Sequence, residues 1–204
     1  MKSKTLLAVL LALSGTLSLP SEARNAAAPR SQPMATVPAP LAAEEIADLL
    51  WMREEEKLAR DVYLALYAIW QQPEFQRIAT SEQRHFDAIG ARLSQFGLAD
   101  PALPAQGEFS QLALQTLYQE MLDNGRQGYV QALTVGAGIE DLDIADLMAA
   151  IDETTNLALK RTYAHLLEGS KNHLRAFVYL LRDQGADYTP YYIEPVLFDA
   201  IVGD

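Results

Sequence analysis

Between Leu41 and Gln184 apolar residues return at alternating steps of three and four in four long stretches, and this rhythm restricts the chain more than any other feature. A period near 3.6 gathers such residues on one stripe of an α-helix, whereas a strand needs a period of two. The first stretch, Leu41 to Gln72, carries Leu49, Met52, Glu56, Ala59, Tyr63, Leu66 and Trp70, and Pro73 both ends it and starts the next. The second, about Glu74 to Phe96, carries Phe75, Ile78, Glu82, His85, Ile89, Leu93 and Phe96 and stops at Gly97, a residue suited to a left-handed C-terminal cap. A Pro-containing loop, Leu98 to Glu108, and a short helix from Ser110, a good N-cap, to about Asp123 then read as a crossover. The third long helix, about Gly128 to Ile151, carries Val130, Leu133, Ala137, Glu140, Ile144, Leu147 and Ile151. The fourth, about Thr155 to Gln184, carries Leu159, Tyr163, Leu166, Ser170, His173, Phe177 and Leu180 and ends at Gly185.

No stretch alternates as a strand would, and no segment repeats. The expected fold is all-α: a four-helix bundle over residues 42–187, with one crossover connection that carries the short extra helix. The tail, residues 188–204, holds Val196, Leu197, Phe198 and Ile201 and is apolar enough to pack back on the bundle.

The N-terminus has a different character. Lys2 and Lys4 precede an apolar run from Leu6 to Leu19 and then Ser21-Glu22-Ala23, the pattern of a signal peptide over residues 1–23 cleaved near Ala23. The run is shorter than the roughly 20 residues a membrane span needs. Residues 24–41 are rich in Ala, Pro and Ser and read as a tether. An exported protein, periplasmic or secreted, is therefore expected. With no cysteine there can be no disulfide, thiolate ligand or cysteine nucleophile, so carboxylate and imidazole chemistry remain. A formal charge of −11 argues against nucleic acid and against anionic membranes once the leader is removed.

Polar residues interrupt all four apolar rows near their middles: Glu56, then Glu82 with His85, then Glu140, then Ser170 with His173. If the helices bundle, these meet at one level. Burying several carboxylates together costs several kcal/mol each unless opposite charge is supplied, and one or two divalent cations would supply it. Oxygen and nitrogen donors without sulfur suit iron or manganese, with zinc as a third option. The alternative is a metal-free polar network in which Glu56 pairs with Arg60 or Arg84 and both histidines are hydrogen-bonded. Glu54 and Glu55, off the row of Glu56, read as a solvated face with Arg53 and Lys57. His165 reads as a rim or surface residue, and Trp51 and Trp70 as core or interface. Tyr63 and Tyr163 read first as packed aromatics with satisfied hydroxyls, and second as donors to a bound carboxylate or as radical carriers.

From about Glu44 to Gln184 the chain resembles the ferritin-like superfamily, in its branch known as domain of unknown function 2202. The likeness rests on Glu54-Glu55-Glu56-Lys57-Leu58-Ala59-Arg60-Asp61-Val62-Tyr63, Ile78-Ala79-Thr80-Ser81-Glu82-Gln83-Arg84-His85, Gly138-Ile139-Glu140-Asp141-Leu142-Asp143-Ile144 and Gly169-Ser170-Lys171-Asn172-His173-Leu174-Arg175-Ala176-Phe177. It implies a ferritin-like bundle with a di-metal carboxylate centre, to which two helices each give a Glu and two give Glu-x-x-His. Glu56, Glu82, His85, Glu140 and His173 match that pattern. Ser170 departs from it, standing where a full site would have Glu, so Asp143 supplies the missing carboxylate, a single ion is held, or two ions are held more loosely. The expected function is non-haem metal redox chemistry on ferrous iron, dioxygen or peroxide. A metal-binding bundle without turnover and a metal-free interaction module are the alternatives. Metal ions are the expected partners, and self-association into a homo-oligomer is left open.

Overall fold

The computed structural model describes residues 40–203, so the expected signal peptide and nearly all of the expected tether lie outside the described residues. The described residues form six helices and no strand: α1 (Ala43–Trp70), α2 (Pro73–Gln95), α3 (Leu112–Gly125), α4 (Tyr129–Glu153), α5 (Leu157–Asp183) and α6 (Pro195–Val202). None of these helices is long and apolar enough to cross a membrane.

The punctuation falls where the residue types place it. Pro73 is the first residue of α2, and Gly97 and Gly185 follow α2 and α5 with φ of 69° and 74°, a region that favours glycine. Asn156 caps α5 by accepting from Ala158 and Leu159 backbone N–H groups. Ser110 does not cap α3; its backbone N–H and hydroxyl both donate to Glu54, and α3 starts two residues later.

Helix α1 lies along α2 and α4 lies along α5, while α1 also touches α4 and α2 touches α5. Helix α3 packs against α1 and α4, and α6 rests on α5, so the tail does fold back on the helices. Asp141 anchors it: the carboxylate accepts from the Tyr188 hydroxyl and from the backbone N–H groups of Tyr191, Tyr192 and Ile193, at 2.6 to 3.0 Å.

The core divides in two. One apolar cluster joins Tyr63, Leu66, Phe75, Ile78, Leu133, Ala137, Phe177 and Leu181. The other joins Leu49, Met52, Ile89, Leu93, Leu147, Leu159 and Leu166. Each fully buried side chain of this size contributes roughly 1.5–3 kcal/mol. Along each of α1, α2 and α5 the polar interruption falls between the two clusters, so the two clusters clamp a polar layer that could not fold unaided.

One expectation fails here. Arg53, Glu54, Glu55 and Lys57 are not a solvated face but are buried. The loop between α2 and α3 closes over Arg53, Glu54 and Lys57, and its backbone groups need polar partners, while Glu55 lies toward α4. Lys57 donates to Asp61 and to the carbonyls of Ala105 and Glu108, Arg53 pairs with Asp100 at 2.6 Å, and Glu54 accepts from Ser110 and Gln111. A loop satisfied by charged side chains makes a second buried face that apolar periodicity does not reveal.

Candidate metal centre

The polar layer brings together five of the six expected ligands. The three-residue step from Glu82 to His85 turns both toward the axis of the helices, where Glu56 of α1, Glu140 of α4 and His173 of α5 meet them. Two groups form, Glu56, Glu82 and His85, and Glu82, Glu140 and His173, in each of which one ligand atom per residue lies within 4.8 Å of the others. Glu82 is common to both. Its Oε2 lies 2.8 Å from His85 Nδ1 and its Oε1 2.7 Å from His173 Nδ1. Glu56 Oε2 and Glu140 Oε2 each stand 3.4 Å from the histidine of their own group. The two imidazole rings stack at 5.6 Å.

The ring nitrogens are close to the carboxylates but not aligned as hydrogen bonds. His85 Nδ1, His173 Nδ1, Glu82 Oε1 and Glu56 Oε1 are buried without a directed partner. Carboxylate and imidazole atoms that converge at this range without aligned hydrogen bonds suit a cation, and in its absence they pair as ions. The residues therefore fit one or two divalent ions. Neither Arg60 nor Arg84 serves Glu56: Arg60 bonds Asp61 and Gln83, and Arg84 is exposed.

With protons as the only cations, the centre is highly polarised. Burial would raise Glu82, but His173 and His85 bring it down to about 2. Burial would lower His85, yet Glu56 and Glu82 beside it raise it to about 11; His173 reaches about 10 against the same burial under Glu140 and Glu82. Burial lifts Glu56 to about 7 against the pull of His85, and Glu140 is raised by burial and by Glu82.

Asp143, the sixth expected ligand, is buried beside the centre but belongs to neither group. Ser170 Oγ lies 2.5 Å from its Oδ2 and 3.0 Å from the Leu166 carbonyl. A hydroxyl carries one proton. Ser170 donates to Asp143 or to Leu166, and the bond to Asp143 lowers that carboxyl while burial together with Glu56 and Glu140 pushes it well up. Ser170 thus engages one oxygen of Asp143 and leaves its Oδ1 unpartnered.

Tyr63 donates to Glu140 at 2.5 Å, the role of a carboxylate donor, whereas Tyr163 is buried with its hydroxyl unpartnered. His165 is exposed, and Trp51 and Trp70 are half-buried. Gly169, which periodicity does not single out, is required by contact: a Cβ there would lie 2.5 Å from His85 Nε2.

Among the described residues ten carboxylates are buried, and their partners sort them. Glu45 accepts from Thr154, Glu54 from Ser110, Asp61 from Lys57 and Arg60, Glu74 from Tyr129 and Asp141 from the tail, so all five hold structure. The other five, Glu55, Glu56, Glu82, Glu140 and Asp143, form or adjoin the centre. Glu55 has neither oxygen hydrogen-bonded, and its place was hidden because it lies off the apolar row of α1.

A family model described as an uncharacterized protein domain, DUF2202, matches residues 45–204, which include every one of these residues and all of α2 to α6. Among curated proteins the chain is 46% identical over 164 residues to the uncharacterized protein MJ0754 of Methanocaldococcus jannaschii, across 80% of this chain and 89% of that one. The crystal structure of the hypothetical protein MJ0754 from Methanococcus jannaschii is similar with a TM-score of 0.80 at 45% identity, over 82% of this chain and 96% of that chain.

Proposed function

The chain belongs to the DUF2202 family, and we propose that it is an exported, ferritin-like four-helix bundle whose centre holds one or two ions of iron or manganese for redox chemistry on ferrous iron, dioxygen or peroxide. The bundle is formed by α1, α2, α4 and α5, with α3 in the crossover, and the mutual contacts of these helices support it. Zinc would fit the same donors without the redox role. The observation that carries the reading is Glu82, each of whose oxygens faces a different histidine nitrogen with no directed hydrogen bond to either Nδ1.

Glu56, Glu82 and His85 would hold one ion and Glu82, Glu140 and His173 the other. Bound iron or manganese supplies exchange of single electrons with an oxidant. The chain supplies the rest. Tyr63 fixes Glu140 through Oε1, and Gly169 leaves the room that the outer edge of His85 occupies. Glu56 has a free Oε1 and so is the carboxylate most able to turn and admit another ligand. The two apolar clusters close the layer at either end along the helices.

Reconstitution of the mature protein with ferrous iron under argon, followed by elemental analysis, tests this. At least one equivalent should remain bound, and Glu82→Gln should retain much less; under a tenth of an equivalent on the unaltered protein would sink the proposal. A second reading, metal binding without turnover, is favoured by the bond that ties Asp143 to Ser170 and leaves five ligands for two positions. Peroxide-driven iron oxidation no faster than that of free iron would select it.

A further inference from the structure

Outside the centre, five carboxylates lie together between α1 and α4 without a basic partner. Asp143 and Asp146 stand one turn apart on α4, and Asp48 and Glu55 two turns apart on α1, which touches α4. Asp146 lines a cleft of about 180 Å³ with Asp48, Trp51, Met52 and Glu153, and accepts from Trp51 Nε1 at 3.1 Å. Behind it lies Glu55, within hydrogen-bonding reach of Asp146 yet with both oxygens lacking a donor. Glu55 is 2% exposed. Asp143, next to Glu55, has its Oδ1 equally unpartnered, and Glu56 of the centre is the neighbour of Glu55 in the chain.

Among the described residues, no lysine, arginine or histidine pairs with Asp48, Glu55, Asp143, Asp146 or Glu153. Arg53 and Lys57 of α1 turn instead to the α2–α3 loop, and Arg60 to Asp61 and Gln83. This row of carboxylates, which no basic side chain neutralises, runs from solvent to the side of the centre over seven residues of α1, roughly 10 Å at the rise of an α-helix.

We propose that this row, Asp48 and Glu153 at the mouth, then Asp146, Glu55 and Asp143, is the route by which divalent cations enter the centre between α1 and α4. The inference rests on the metal-centre reading above. Carboxylate oxygens spaced along the route would replace the water shed by the ion in stages, so that no step leaves it without oxygen donors. Transit sites act on rate. Their loss should slow loading and leave the final content unchanged.

Stopped-flow mixing of the mature, metal-free protein with Co²⁺ alone, followed by visible absorbance, reads both quantities. Glu55→Gln should cut the loading rate at least fivefold at unaltered final stoichiometry. Asp146→Asn, at a half-buried position where folding is little at risk, should cut it by about half or more. Glu168→Gln, in the separate cleft between α2 and α5 that reaches His85, should load as the unaltered protein does. Unaltered rates in both Glu55→Gln and Asp146→Asn, with circular dichroism showing folded protein, would overturn the route and leave the centre standing. No Co²⁺ uptake by the unaltered protein would instead overturn the centre and the route with it.

Discussion

Metal binding at this centre should expel protons, and the number follows from the geometry. His85 and His173 face the carboxylates through Nδ1, the atom that would ligate, and a ligating nitrogen must be free of its proton. The carboxylates around them raise His85 to about 11 and His173 to about 10 against the effect of burial, so at pH 6 to 8 both rings are protonated in the metal-free protein. Loading both groups therefore releases at least two protons, and Glu56, raised to about 7 by burial, adds part of a third below neutrality. Each released proton makes affinity rise tenfold per pH unit, about 1.4 kcal/mol. From pH 6 to pH 8 the overall constant for two ions should rise about 10⁴-fold, or about 5.5 kcal/mol. The folded-state shifts run the other way for the metal-free protein. Because the histidines are raised above their usual 6.5, the stability they confer is complete below that value and is lost as pH climbs toward 10 and 11. Titration calorimetry with Mn²⁺ in two buffers of different ionisation heat counts the protons directly. Fewer than half a proton released per bound ion at pH 7.5, or an affinity flat between pH 6 and 8, would refute the assignment of both histidines as ligands through Nδ1.

Other expectations are narrower. Gly169→Ala places a methyl group 2.5 Å from His85 Nε2 and so must turn the ring; affinity at the group with His85 should fall roughly 10–100-fold, while the group with His173 changes little, as a two-site metal titration would show. Asp141→Ala leaves three backbone N–H groups and the Tyr188 hydroxyl of the tail without their acceptor. It should cost about 3 kcal/mol in urea unfolding and open the segment around Tyr191 to proteolysis. Ser170→Ala removes the hydroxyl that holds Asp143 and should cost about 1–2 kcal/mol, read by the same unfolding, with no loss of bound metal.

Much of the architecture was legible along the chain because helices are local. Steps of three and four, with Pro73, Gly97 and Gly185 as punctuation, foretold each long helix to within a few residues, and the polar residues set in those rows foretold the level at which Glu56, Glu82, His85, Glu140 and His173 meet. A buried row must share one face of its helix, so an acid in that row can only point inward. What the tertiary structure alone decided concerns groups off the rows and their partners. Arg53, Glu54 and Lys57 are buried because a loop distant in sequence lies over them, and no period of α1 encodes that contact. Ser170 and Asp143 are 27 residues apart, and only the packing of α5 on α4 makes one restrain the other. Glu55 differs from Glu54 by one position in a run of three glutamates. Rotation by a single residue, about 100° around the helix, separates an acid that ties down a loop from one left unpaired beside the centre.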